Sequence, residues 1–154
     1  VGMYLAQSLL AHRHKVTIIE PQEMLCRSLA DSLDIPVICG DAISFDTMRT
    51  ADVASCDAFD DYSFGGTALV GDPTDPDTLR QGGIDSCDAV AAVSEDDSVN
   101  LMAAQIAKSI FRREKVICRV SDPHLQVLYH KAYEIDTICP TVLTEQSVFR
   151  ALAK

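Results

Sequence analysis

The polar residues of this chain that could do chemistry stand where short apolar runs stop. Glu20 closes the β-branched run Val16 to Ile19, Gly71-Asp72 follows Ala68-Leu69-Val70, and Ser94 follows Ala89 to Val93. Asn100 lies at the helix start after Ser94, and Arg119 at the end of the run Val116 to Val120. In an open parallel sheet, ligands bind at the carboxyl ends of the strands. Carboxylates there accept hydrogen bonds from ribose hydroxyls, and a guanidinium neutralises phosphate, so the chemistry is nucleotide binding.

Each residue also has a plainer use. Glu20 lies some eighteen residues after Gly2, the one glycine that could end a G-x-G-x-x-G fingerprint, and it would repel a 2′-phosphate. It could equally be a strand-end acid beside Pro21. Asp72, with Asp41 as its duplicate, either points toward an adenine or ribose or closes a turn, since Gly-Asp-Pro is good turn chemistry. Ser94 and Asn100 either touch a ligand or cap a helix and dock it on a strand. Arg119 either holds a phosphate or pairs with Asp122 or another acid. His12, His14, His124 and His130 have no metal-ligand spacing with a neighbouring carboxylate or cysteine.

No G-x-S-x-G, H-E-x-x-H, G-K-[ST] or Tyr-x-x-x-Lys arrangement occurs, so the expectation is a binding domain and not an enzyme. With 154 residues and 47% hydrophobic content, the chain is expected to be one globular domain over residues 1–154. The formal net charge is −10 and the thirteen basic residues are scattered except for Arg112-Arg113 with Lys115, so nucleic acid is not an expected partner. No apolar run approaches the ~20 residues of a membrane helix, so direct membrane insertion is not expected. The six cysteines include no C-x-x-C pair and lie mostly in apolar runs, which reads as reduced, buried thiols of a cytosolic protein.

The elements that position these residues alternate. Met3 to Ala11 has a helical apolar face of Leu5, Leu9 and Leu10. Lys15 to Ile19 is a strand closed by Glu20, and Pro21 opens a helix through Leu25, Leu29 and Leu33. Val37-Ile38-Cys39 returns to strand, and the alternation continues toward Lys154, predicting a Rossmann-like, doubly wound α/β fold with a mostly parallel sheet. Asp75-Pro76 and Asp122-Pro123 mark helix starts, and Ser94-Glu95-Asp96-Asp97 resembles a capping box before Val99 to Ile110. Thr141 or Thr144 is the expected cap of the last helix.

Two irregularities stand out. Residues 40–59 match 71–90 at nine of twenty positions when shifted by 31, including Gly-Asp and Ser-Cys-Asp-Ala. Two copies are too few for a solenoid, so a local duplication or a splice of related domains is implied. After the first copy, Phe59 to Gly66 carries Asp60 and Asp61 where a buried strand should run, whereas Val90-Ala91-Ala92-Val93 follows the second. The second copy is therefore expected to continue the core, with 45–66 an insertion or added edge unit. The chain also opens on Val1-Gly2 and a helix, with no first strand or full glycine turn before it. A longer protein, or another segment filling the gap, is the expectation, because a missing central strand leaves sheet edges unpaired.

The pattern Gly71-Asp72-x-Thr74-Asp75-Pro76, Leu79-Arg80, Cys87-Asp88-Ala89-Val90, Ser94, Asp97, Asn100-Leu101 resembles the nucleotide-binding domain of Trk-type potassium-uptake regulators and RCK domains. The similarity continues through Val116 to Val120, Asp122-Pro123 and Ile138-Cys139-Pro140, and back to Val1-Gly2 and Val16 to Glu20. The resemblance implies NAD(H) or ATP/ADP bound by Gly2, Glu20, Asp72 or Asp41, Ser94, Asn100 and Arg119. It further implies dimerisation through the late helices, a ring beneath a membrane potassium transporter or channel subunit, and a cytoplasmic position at the inner face of the membrane. The alternatives are the cofactor fragment of an NAD-dependent oxidoreductase or epimerase, and a dimerisation scaffold that has lost its ligand.

Overall fold

A computed structural model describes residues 1–39 and 66–153, with 37–39 placed as backbone. Helices and parallel strands alternate along it: α1 (Gly2–Ala11), β1 (Val16–Glu20), α2 (Glu23–Leu33), β2 (Val37–Cys39), β3 (Gly66–Val70), α3 (Pro76–Gln81), β4 (Ala89–Ala92), α4 (Asp97–Ser109), β5 (Lys115–Arg119), α5 (Pro123–Tyr133), β6 (Asp136–Ile138) and α6 (Pro140–Leu152). The chain divides into two compact units, Val1–Gly83 and Ile84–Lys154. Each unit carries its own three-stranded parallel sheet, in the orders β1-β3-β2 and β4-β5-β6. Among the described residues, β1 and β4 each have a strand neighbour on one side only.

In the first unit, β3 is the middle strand. Ala68 and Leu69 are buried there, and α2 places Cys26 and Ala30 against Ala68, with Ile18, Ile35 and Val70 partly buried around them. The buried stripe of α2 is thus Cys26 and Ala30, four residues apart, rather than the expected Leu25, Leu29 and Leu33. Leu25 is exposed, because small residues let the helix lie close to the sheet and the leucine flanks the contact. Pro21 does not open α2 either. Gln22 is the extended residue before the helix, and Asp34 ends it in the left-handed conformation at φ 54°.

The second copy of the repeat holds the middle position, and the local reason is visible. A Cβ on Gly66 would sit 3.0 Å from the Val16 carbonyl oxygen and 3.1 Å from Leu10 Cδ2. The first copy has Ile35 and Pro36 at the places of Gly66 and Thr67. Proline lacks the N–H that a two-sided strand uses, which confines it to edges. Phe59 to Gly65 and Asp41 lie outside the described residues.

In the second unit, α4 packs Leu101, Ala104 and Ala107 inward, over a core that includes Val116, Cys118, Val120, Ile135 and Cys139. The expectation that β4 is buried like β3 is not met. Its residues alternate between exposed and half-buried, as suits a strand with one free edge. The capping expectations for Asp75 and Asp122 hold, with each aspartate accepting from the first-turn N–H groups ahead of a proline. At α4 the cap is Asp96, not Ser94, and at α6 Cys139 takes the cap position with no side-chain bond. Thr141 instead donates its hydroxyl to the Ser121 carbonyl at 3.0 Å, so neither expected threonine caps that helix.

Candidate functional site

The first unit places two acids at neighbouring strand ends. β1 and β3 pair in register up to Glu20 opposite Val70, and the Gly71 N–H donates to the Glu20 carbonyl at 3.1 Å. Glu20 Oε1 accepts from the Gln22 N–H at 3.0 Å, which holds the carboxylate at the strand end. Asp72 is exposed, and its Oδ1 accepts from the Thr74 N–H at 2.8 Å and the Thr74 hydroxyl at 2.7 Å. The plainer use foreseen for these acids is met: each closes a turn with one oxygen, and its other oxygen takes no hydrogen bond among the described residues. A Cβ on Gly71 would lie 2.6 Å from Thr78 Cγ2, so any side chain there would displace the Thr78 methyl.

Asp75 stands beyond the turn. It accepts from the Thr78 hydroxyl at 2.9 Å, the Thr78 N–H at 3.1 Å and the Asp77 N–H at 3.2 Å. The Thr78 hydroxyl first, then these backbone bonds, hold its carboxyl below the ordinary value of 3.8. Gly2 is the first residue of α1, whose cap position, Val1, offers no side-chain bond.

The second unit gathers Ser94, Asn100 and Arg119 at the ends of β4 and β5. Asn100 is 1% exposed, the one buried polar residue among those described. Its Nδ2 donates to the Ser94 carbonyl at 3.0 Å and the Arg119 carbonyl at 3.1 Å, while its Oδ1 accepts from the Ser94 N–H at 2.8 Å. One side chain thus ties the start of α4 to two strand ends, the docking use foreseen for it. Arg119 donates from Nη1 to the Ser94 carbonyl and makes no ion pair with Asp122 among the described residues. The Ser94 hydroxyl donates to the Asp96 carbonyl at 3.2 Å.

Asp97 joins this group without having been singled out as a site residue. Its Oδ2 accepts from the Ser121 N–H at 2.8 Å, and its Oδ1 is buried without a partner, as is Arg119 Nε. The signal was its spacing, three residues before Asn100 and so on the same helix face. Desolvation first, then the Asp97 charge, pushes the buried Cys118 thiol up to about 11. Among the described residues, no group of three or more His, Cys, Asp or Glu side chains could hold a metal ion.

The family model described as the TrkA-N domain matches residues 1–59 and 62–140. The chain belongs to the TrkA-N domain family. The Trk system potassium uptake protein TrkA of Streptomyces coelicolor is 38% identical over 152 residues, which cover 99% of this chain and 54% of that protein. A TrkA homolog of Methanothermobacter thermautotrophicus is 28% identical over 131 residues, 85% of this chain and 46% of that protein. The chain spans about half the length of these curated relatives. Both are named for potassium uptake rather than for a catalysed reaction, in keeping with the missing catalytic constellation. The NAD(P)-binding domain of an exopolyphosphatase-related protein from Archaeoglobus fulgidus superposes with a TM-score of 0.51 at 18% identity, over 91% of this chain and 98% of that one. That likeness establishes the Rossmann-like α/β fold.

Proposed function

We propose that this TrkA-N domain is a cytoplasmic sensor that binds NAD(H) or ATP/ADP and passes the bound state to a membrane potassium-transport subunit. The observation that carries the reading is the pair Glu20 and Asp72, set on adjacent strand ends with carboxylate oxygens free to accept from ribose hydroxyls. The donor set fits a nucleotide. Glu20 and Asp72 accept from sugar or adenine, and Gly2 at the amino end of α1 suits a phosphate approaching backbone N–H groups. In the second unit, Arg119 Nε is a buried donor without a partner, suited to an anion, with Ser94 beside it and Asn100 fixing the two strand ends. A bound nucleotide supplies charge and contacts, and regulation requires unequal affinity for two arrangements of the protein.

Thermal shift with NAD, NADH, NADP, ATP, ADP and cyclic dinucleotides tests the reading. NAD(H) or ATP/ADP should raise Tm, and NADP should raise it less than NAD because Glu20 repels the 2′-phosphate. Glu20→Ala should narrow that difference. Equal stabilisation by NAD and NADP would remove the role given to Glu20, and no shift with any compound would remove the sensor.

A further inference from the structure

The pairing of β2 with β3 and the internal repeat have the same offset. Val37 lies opposite Ala68, Ile38 opposite Leu69 and Cys39 opposite Val70, each pair 31 residues apart. The repeat carries Gly40-Asp41 onto Gly71-Asp72 with that same shift. The strands that lead into the two copies therefore lie side by side, parallel and at the offset of the repeat, although Val37-Ile38-Cys39 and Ala68-Leu69-Val70 share no identical residue. The family match breaks between residues 59 and 62, so each matched stretch holds one copy.

We infer that β2 and β3 are two writings of a single strand position, the one beside β1, and that β2 is a stand-in able to take β3's place there. In the whole chain that position is two-sided, with β1 on one flank and the other copy on the second. Thr67 supplies an N–H in it where Pro36 has none, and Gly66 fits against the Val16 carbonyl oxygen where Ile35 would crowd it. The second copy therefore goes inside and the first goes to the edge. With one copy removed, the position beside β1 has one free side, and Pro36 then stands at Thr67's place, whose N–H side faces β1, so the stand-in gives up one ladder bond to β1 and keeps the others.

Two deletions of one repeat period test this. Removing 35–65 leaves Gly66-Thr67-Ala68-Leu69-Val70-Gly71 after Asp34, and removing 41–71 leaves Ile35-Pro36-Val37-Ile38-Cys39-Gly40 before Asp72. The products have equal length and differ only in that strand. Both should unfold cooperatively and keep slow amide exchange in β1. The 35–65 deletion should melt within about 5 °C of the full chain and the 41–71 deletion lower, since Ile35 must be accommodated near Val16. Loss of cooperative unfolding and of β1 protection in the 35–65 deletion would show that β2 is an integral strand. The same loss in the 41–71 deletion alone would show that the first copy cannot stand in. The readout uses no nucleotide, so it is independent of the sensor reading.

Discussion

At the scale of single residues, Asp72 and Asp41 are chemically identical and differ in the strand that precedes them. Asp72 follows the middle strand and is exposed beside Glu20. Asp72→Ala should weaken nucleotide binding by a charge-assisted hydrogen bond, about 1.5–3 kcal/mol, while Asp41→Ala should change it little. Calorimetry giving the opposite order would make the first copy the binding one. Asp75 supplies a pH signature. Its carboxyl is held below 3.8 in the folded state, so the stability it contributes is present above its unfolded value and is lost as pH falls through the lower folded one. The Tm difference between the parent and Asp75→Asn should be full at pH 6 and shrink below about pH 4. A difference that grows in acid would contradict the capping role.

At the scale of elements, α4 owes its position to a buried amide as much as to its apolar face. Asn100 satisfies one N–H and two carbonyls at the ends of β4 and β5, the farther of them nineteen residues along the chain from Asn100 itself. Asn100→Ala leaves the part-buried Ser94 N–H and Arg119 carbonyl without its amide, while the Ser94 carbonyl keeps the Arg119 guanidinium, and should cost about 1–3 kcal/mol per group left unpaired. Chemical denaturation is the direct measurement. A loss below about 0.5 kcal/mol would mean that other groups or water take over the bonds.

At the scale of the whole molecule, α5 and α6 contribute no buried residue, and Val127, Leu128, Leu143, Val148, Phe149 and Leu152 are exposed. Phe149 and Leu152 are 68% and 82% exposed, more apolar surface than a solitary small domain usually leaves to water on one helix. The chain should therefore self-associate through α6 at micromolar concentration, and Phe149→Asp with Leu152→Asp should yield monomers. Sedimentation of the unaltered protein as a monomer at that concentration would refute the association.

Features set by near neighbours along the chain were legible in the sequence. Asp75-Pro76 and Asp122-Pro123 cap helices because a carboxylate and the N–H groups two or three residues on meet in any context. Apolar runs marked β1, β3 and β5, and the Gly-Asp strand end carried the family. Three things belonged to tertiary structure alone. Asn100 looked equally fit for ligand or docking until residues from another strand took up its amide. Which Gly-Asp copy stands beside β1 depended on the space around Gly66 and on a second strand neighbour, neither visible in two segments that share half their residues. The apolar Ala89 to Val93 could not announce its own exposure, because burial of a strand is decided by what covers its edge and face.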